Sequence, residues 1–283
     1  MKYFFIILTL LFTINLYSSS IKLDIIIEEN VLKDYKKFMQ NKSPLDIQEF
    51  KYHTSRRSVV ELVLFQQALF LGGDYKVELN FIISPTYLRE LQQLKQAKGI
   101  STGTSLWLYD LEKLKDFVYI SDPLIRNNEF EAGFYTIESN KKALNAKSLE
   151  DIQQLIAISN KYWVPDWKTL ERIKPKKLIH EIKWKYMTRM VSIKRGDFLL
   201  APFQVTNDLS FKTEDIKFIP INGLKVGLEG SRHFAIAKNY PNSKEIFKAL
   251  NRGIKILRKS GIIEKAYKQS GFFNEKVKDW RKL

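Results

Sequence analysis

Apolar and polar positions alternate along the first half of the chain in a way that predicts strands and helices in turn. The segment IKLDIIIE at Ile21–Glu28 is almost continuously apolar, which is typical of a strand covered on both faces. The segment RRSVVELVLFQQALFLGG predicts a buried helix that begins at Val59 and stops at Gly72-Gly73. Ser58 and Glu61 have the spacing of a capping box at the start of that helix.

The same pattern continues through residue 108. Tyr75–Phe81 alternates apolar and polar residues as a half-buried strand does, Ser84-Pro85-Thr86 opens a helix, and Ser105–Leu108 predicts another strand. Strands and helices in alternation predict a mainly parallel α/β sheet. The polar, mixed segment Glu29–Tyr52 is predicted to be an insertion or extended loop.

The stretch VYISDPLIRNNEFEAGFYTI, Val118–Ile137, predicts a change of direction in the chain. A short edge strand is followed by a polar turn at Arg126–Asn128 and then by an alternating run that predicts a crossing strand. Beyond it, Ser148–Asp151 caps a short helix, and the short helices and strands that continue to residue 201 predict a second small α/β lobe. Asp215–Val226 predicts a return strand, and Ser243–Ser260 predicts an amphipathic helix.

Several of these segments resemble the type II periplasmic solute-binding proteins, the extracellular family that includes amino-acid receptors. Tyr119–Pro123 has the form aromatic-x-Ser-x-Pro, which in that family closes the first lobe. The C-terminal segment HFAIAKNYPNSKEIFKALNRGIKILRKSGIIEKAYKQSGF is similar to the family's returning strand, proline, long helix and short helix. Leu149–Trp167 and Met187–Phe203 are similar to units of its second lobe, so the resemblance covers roughly residues 56 to 272.

The resemblance implies an α/β protein with the two-lobe type II periplasmic-binding-protein fold. Each lobe is then a mainly parallel sheet flanked by helices, and a two-strand hinge joins the lobes. The implied division is a signal peptide at 1–20, a discontinuous lobe 1 at 21–127 and 222–283, and lobe 2 with the hinge strands at 128–221. Residues near 130 and near 220 must then lie side by side.

Ligands of open parallel sheets bind beyond the carboxyl ends of the strands, where helix N-termini converge. We therefore expect the ligand-binding residues to be Arg56, Arg57, Ser58, Ser84, Tyr87, Thr102, Trp107, Ser121, Tyr162, Trp163, Phe203 and Gln204, with Asp166 and Asn207 close by. Arg56 and Arg57 at a helix N-terminus can form a binding site for a carboxylate or phosphate. The alternative is that Ser58 only caps the helix and both arginines are exposed to solvent. Each aromatic residue fits either a stacking surface for the ligand or ordinary core.

One departure from the family bears on the ligand. Amino-acid receptors of this family hold the ligand carboxylate with an arginine in the stretch that corresponds to Trp107–Glu112, and no arginine occurs there. This difference argues against an ordinary α-amino acid.

The N-terminus and the composition bear on where the protein works. Lys2, the apolar run from Tyr3 to Phe12 and Ser18–Ser20 predict a secretory signal peptide cut near Ser20, with an uncleaved N-terminal anchor as the alternative. The absence of cysteine excludes disulfides and a lipid-modified N-terminal cysteine. We expect a periplasmic monomer.

The formal net charge of +16 is compatible with nucleic acid, an anionic membrane surface or acidic solutes as partners. Of the 47 basic residues, 36 are lysines spread among acidic residues, which favours a solvated surface and argues against nucleic acid as a partner. A basic protein that binds nucleic acid or lipid surfaces is kept as a third hypothesis, and it predicts steeply salt-dependent binding.

Known catalytic motifs are missing, and the three histidines are far apart in sequence, so no metal or cofactor is expected. The sequence favours a solute-binding protein that traps a small anionic or zwitterionic solute for an ABC-type permease. A ligand-sensing protein that acts on a membrane receptor is one alternative. A cleft enzyme of the cyclohexadienyl-dehydratase type is another, because dehydratases of this fold work with cleft acids.

Overall fold

A computed structural model describes residues 20–283, which fold into two α/β lobes. The predicted signal peptide lies almost wholly outside these residues. The strands are β1 (Ser20–Glu28), β2 (Lys76–Ser84), β3 (Leu106–Trp107), β4 (Val118–Ile125), β5 (Glu131–Ile137), β6 (Ile156–Ser159), β7 (Lys177–His180), β8 (Leu199–Pro202), β9 (Phe211–Thr213), β10 (Ile216–Gly227), β11 (Arg232–Ala237) and β12 (Arg281–Lys282). The helices are α1 (Glu29–Met39), α2 (Arg57–Gly73), α3 (Tyr87–Lys95), α4 (Leu108–Glu112), α5 (Lys141–Leu144), α6 (Leu149–Gln153), α7 (Val164–Ile173), α8 (Trp184–Ser192), α9 (Ser243–Lys259) and α10 (Ile262–Gln269).

The first lobe is organised on a sheet in which β1 pairs in parallel with β2 and β11 pairs antiparallel with β4. A short extended segment joins these two pairs. Ile100 donates to the carbonyl of Asp24 at 2.8 Å and accepts from the amide of Ala237 at 2.8 Å. The predicted strand Ser105–Leu108 is therefore reduced to β3, which pairs with the start of β11, while residues 100–101 occupy the central place in the sheet.

Helices α2 and α9 form the centre of the first lobe and pack in very close contact. A Cβ atom on Gly253 would lie 1.8 Å from the carbonyl oxygen of Ala68, and one on Gly72 would lie 1.9 Å from that of Ala249. Only hydrogen at these two positions allows the backbones to approach so closely. Helix α2 is buried along most of its length because α9 covers one side and the sheet the other.

Residues 29–52 differ from the predicted extended loop, because they begin with helix α1. Val31, Tyr35, Phe38 and Met39 are buried on one face of α1 and join the core of the first lobe. Their spacing of three to four residues is that of an amphipathic helix. The lysines between them made the segment look like a polar insertion.

The second lobe contains a sheet whose strand order is β7–β6–β8–β5–β10. Strands β6 and β7 are parallel, Phe198 connects β6 to the start of β8, and β5 pairs antiparallel with both β8 and β10. Short strands β9 and β12 add to β10. A hydrogen-bonded capping box between Ser148 and Asp151 starts α6, as the sequence predicts.

The two lobes are connected by adjacent ribbons that run from β4 to β5 and from β10 to β11. The amide of Asn128 donates to the carbonyl of Leu228 at 3.2 Å, and the amide of Leu228 donates to Phe130 at 2.8 Å. Within the second lobe, Val226 of β10 pairs with Ala132 of β5. The expectation that residues near 130 lie beside the returning chain is therefore confirmed.

The C-terminal segment crosses to the second lobe, whereas the sequence assigns all of 222–283 to the first. Strand β12 pairs with Leu224 and Lys225 of β10, and Val277 is buried beside Phe203. The amine of Lys225 donates to the carbonyl of Val277 at 2.8 Å and lies 2.9 Å from Glu131. This buried lysine holds the end of the chain on the second sheet. No helix among residues 20–283 has the length and apolar character needed to cross a membrane.

Candidate ligand-binding site at the lobe junction

The two arginines at the start of α2 point in different directions. Arg56 donates from Nε to Asp34 of α1 at 2.9 Å and from Nη1 to the hydroxyl of Ser58 at 3.0 Å. Arg57 instead donates to Glu61 at 2.7 Å and to the hydroxyl of Ser105 at 3.3 Å. The structure therefore separates the predicted pair, and it shows no side-chain cap from Ser58 because the helix begins at Arg57.

Glu61 is fully buried, and four donors hold its carboxylate. They are Arg57 Nη1 at 2.7 Å, the amide of Ser105 at 2.9 Å, the Ser105 hydroxyl at 2.7 Å and the Tyr267 hydroxyl at 2.9 Å. Because a carboxylate has about four acceptor positions, this group has no capacity left for a ligand.

The second arginine near this carboxylate is Arg232, at the start of β11, and not Arg56 as the sequence predicts. Its Nε donates to the Ser105 hydroxyl at 3.1 Å, and its Nη2 donates to the Ser105 carbonyl. The guanidinium also lies over the ring of Trp107, 4.6 Å from the ring centroid, in a cation–π contact. Burial and the positive charge of Arg57 lower the pKa of Arg232 to about 10, so it stays charged at neutral pH.

The buried cluster of Arg57, Glu61 and Arg232 therefore holds two positive charges and one negative charge. Glu90, the other acidic side chain that interacts electrostatically with both arginines, is protonated at pH 7 because burial and the charge of Glu28 raise its pKa to about 8. Tyr87 stays a neutral phenol because burial raises its pKa, and its hydroxyl donates to Asp110 at 2.9 Å. One positive charge is left without a partner in this buried set, which favours an anion from outside.

The first turn of α7 in the second lobe faces this cluster across Gly230. A Cβ atom on Gly230 would lie 3.2 Å from the ring of Trp107 and 3.5 Å from Pro165 of α7. The side chain of Asp166, one residue further on, is partly buried, and burial raises its pKa to about 7. The junction thus combines two guanidiniums from one lobe with a helix N-terminus and a titratable carboxyl from the other.

Three predicted ligand residues make hydrogen bonds within the first lobe instead. The Ser121 hydroxyl donates to the carbonyl of Asp122 and accepts from the amide of Phe234, which joins β4 to β11. The Thr102 hydroxyl donates to the carbonyl of Thr104 at 2.7 Å, and the Ser84 hydroxyl donates to that of Thr86 at 3.4 Å. These contacts shape the loops beside the junction.

The ligand-binding residues predicted in the second lobe lie in two separate places, one at the start of α7 and one beside the C-terminal segment. Trp163 lies at the start of α7 with its ring 6.1 Å from that of Trp184, and Tyr162 is 67% exposed. Phe203 packs edge-on against Trp280 of the C-terminal segment, 5.3 Å away.

The remaining two predictions, Gln204 and Asn207, lie close to Phe203 in sequence and contact the same C-terminal segment. The carbonyl of Gln204 accepts from Asn274, and the carbonyl of Asn207 accepts from Lys276. The structure therefore places Phe203, Gln204 and Asn207 away from the arginine cluster. Among residues 20–283 no three His, Asp or Glu side chains gather as a metal site.

Sequence reasoning missed the residues that complete the cluster, namely Glu61, Arg232 and Tyr267. Glu61 was interpreted as part of a helix cap, although its place four residues after Arg57 is also the spacing of an ion pair along a helix. Arg232 lies 127 residues from its partner Ser105, and only the fold brings them together. The one signal available in the sequence was the position of Arg232 at the start of the strand that follows the predicted return strand.

Comparison with solved structures identifies the architecture. The extracellular-binding protein ytmK of Bacillus subtilis, described as part of a probable amino-acid ABC transporter, superposes with a TM-score of 0.57 at 12% identity, covering 88% of this chain and 97% of that one. Substrate-binding domain 2 of Lactococcus lactis GlnP, in its open conformation, gives 0.52 at 13% identity, covering 88% and 94%. The periplasmic VFT2 domain of Bordetella pertussis BvgS gives 0.51 at 12% identity, covering 92% and 93%.

This chain has the fold of the type II periplasmic solute-binding proteins. No family model matches its sequence, and no curated protein matches it. The arginine cluster and the first turn of α7 lie at the junction between the two lobes of this fold.

Proposed function

We propose that the protein is a periplasmic solute-binding protein that captures a small anionic or zwitterionic solute between its lobes. The observation that supports this proposal is the charge imbalance in the buried cluster, where the carboxylate of Glu61 is hydrogen-bonded to Arg57 and reaches Arg232 only through Ser105 and by charge. A carboxylate of the solute accepts from the remaining guanidinium N–H groups and neutralises the cluster.

Closure of the lobes adds a second set of interactions. The N-terminus of α7 brings the positive end of the helix dipole to the same anion. Asp166, once ionised, accepts from an ammonium group if the solute is zwitterionic. Because these contacts form only in the closed arrangement, the solute shifts the population of the protein toward it.

The partner of the closed form is a membrane permease or a membrane sensor, and the protein works as a monomer. Two solved structures with this fold are described differently: the B. subtilis protein as a component of a probable transporter, and the B. pertussis domain as part of BvgS. A pull-down of detergent-solubilised membranes with and without the identified solute checks this part of the proposal.

The proposed binding site is tested by thermal shift with a panel of dicarboxylates, amino acids and phosphonates. Solute at 100 times its dissociation constant is expected to stabilise the native state by about 2.7 kcal/mol. Arg57→Gln and Arg232→Gln should each abolish the solute-induced shift, while Arg56→Gln, one residue away and paired with Asp34, should keep it. An intact shift in both cluster variants would place the solute elsewhere.

A second candidate, a cleft enzyme of the dehydratase type, is favoured by one observation. Asp166, in the first turn of α7, has a pKa of about 7, close to the optimum for a general acid or base at neutral pH. Incubation with prephenate-like acids distinguishes the two functions, because a binding protein leaves them unchanged. Turnover that Asp166→Asn removes would establish the enzyme.

A further inference from the structure

Helix α8 of the second lobe has apolar residues on a second side besides the one that is buried. Met187 and Val191 are buried against the sheet, as expected for a surface helix. On a neighbouring side, Tyr186 and the C-terminal cap residue Ile193 are 44% and 53% exposed. Ile182, two residues before the helix, is 59% exposed. The fold of the lobe does not use this second set of apolar residues.

Basic side chains flank the exposed apolar residues. Lys183, Arg189 and Lys194 are exposed, and none of them forms an ion pair within residues 20–283, whereas Lys185 is paired with Glu214 at 2.6 Å. Residues 161–195 contain eleven lysines and arginines but only three acidic residues. This segment of 35 residues therefore carries half of the formal net charge of +16.

The apolar surface continues from α8 toward the loop before α7. Asn160 donates to the carbonyl of Ile182 at 3.1 Å, and the ring of Tyr162 lies 5.7 Å from that of His180. Tyr162 is 67% exposed and has the amine of Lys161 5.4 Å from its ring centroid. The basic–aromatic face is defined here as Lys161, Tyr162, Ile182, Lys183, Tyr186, Arg189, Ile193 and Lys194.

We propose that the basic–aromatic face binds the surface of an anionic phospholipid bilayer, with α8 lying parallel to the membrane plane. Tyrosine and isoleucine side chains that project between lysines and arginines match the interfacial zone, where apolar groups enter the acyl boundary and cations meet the lipid phosphates. A second copy of the same face is an unsuitable partner, because two strongly positive surfaces repel each other. The proposal is independent of the solute and of the cleft.

Sedimentation with vesicles of phosphatidylcholine alone, or with about 30% phosphatidylglycerol added, tests the charge requirement. The purified protein should sediment more with the anionic vesicles, and 0.5 M NaCl should remove most of the difference, since salt screens the attraction. Lys183→Gln/Arg189→Gln/Lys194→Gln should lower partitioning to anionic vesicles by about tenfold or more. The matched control is Lys244→Gln/Lys248→Gln/Lys259→Gln, which removes three exposed charges from α9 of the other lobe.

The apolar requirement is tested by Tyr186→Ser/Ile193→Ser, which keeps every charge. This variant should also lose binding to anionic vesicles, and its urea midpoint should stay close to that of the parent because both side chains are exposed. Equal sedimentation with neutral and anionic vesicles would overturn the proposal. An equal loss of vesicle binding in the α9 control would also overturn it, and so would full binding by the serine variant. Either result would leave only nonspecific charge attraction, or docking on an acidic protein, as the role of these charges.

Discussion

The guanidinium of Arg57 lies 2.7 Å from the carboxylate of Glu61, one turn along the same helix. Burial alone would lower the pKa of Arg57, but the facing carboxylate together with Tyr267 and Tyr87 more than offsets this and raises the pKa above its usual value. Arg232 approaches the same pair from a different strand, so a local ion pair becomes part of a three-charge cluster. That third charge converts a structural contact into a candidate anion site.

Replacement of Glu61 by glutamine should destabilise the protein strongly. The change leaves Arg57 and Arg232 buried without a counter-charge, a situation that typically costs about 3–5 kcal/mol. Urea unfolding at pH 7 measures the loss of unfolding free energy. Glu245→Gln on the exposed side of α9 is the matched control and should change stability by less than about 0.5 kcal/mol. A loss of similar size in both variants would contradict the role of Glu61.

Glu90 should make stability fall as the pH rises. Its folded-state pKa of about 8 lies above the usual glutamate value of 4.5, so the folded state binds the proton more tightly and its stability decreases as the pH rises from about 4.5 to 8. Glu90→Gln should therefore leave stability at pH 5 nearly unchanged and increase it at pH 8, by an amount on the order of 1–3 kcal/mol. Urea unfolding at pH 5 and pH 8 measures this. Parallel pH profiles for the parent and the variant would refute it.

The crossing of α2 and α9 should not tolerate a methyl group at Gly253. Alanine there would place Cβ against the backbone carbonyl of Ala68, which cannot move without shifting the helix. Gly253→Ala should therefore cost about 3 kcal/mol or more by urea unfolding. Lys248→Ala, on the exposed side of the same helix, should be nearly neutral. Near-native stability of Gly253→Ala would show that the helices separate easily.

Loss of the Lys225 amine should release the C-terminal segment. Lys225→Met removes the hydrogen bonds to the carbonyls of Val277 and Lys278, and trypsin should then cleave faster after Lys276 and Lys278. Mass spectrometry of a digestion time course identifies these cuts. Lys282→Met removes exposed contacts to Glu131 and to the carbonyl of Asn128, and this variant should be cleaved more slowly there than Lys225→Met. Equal cleavage of the two variants would indicate that strand pairing alone holds the segment.

Local patterns were sufficient to predict the alternating elements and the hinge. The capping box at Ser148, the helix start after Ser84-Pro85-Thr86 and the crossing strand after Asn128 are all determined by neighbouring residues. Helix α1 was missed although Val31, Tyr35 and Phe38 have helical spacing, because the lysines between them dominated its composition.

The candidate site was less predictable because its geometry depends on tertiary partners. The sequence placed Arg56 and Arg57 together, but Asp34 of the unrecognised helix α1 draws Arg56 to the other side. Phe203 carries the pattern of a strand end facing a cleft, yet the C-terminal segment covers it. Neither outcome can be obtained without knowing which distant segments pack on these residues.

The C-terminal segment also restricts how the lobes can move relative to each other. The backbone passes between them in the two adjacent hinge ribbons and again near Phe272, whose ring lies 4.8 Å from that of Phe130 in the hinge. Two neighbouring ribbons permit both bending and twisting, whereas a further link fixed at Lys225 and β12 resists rotation about the long axis of the molecule. Under the function proposed above, this link favours opening by a bend about one axis, so that Arg232 and the first turn of α7 stay in register.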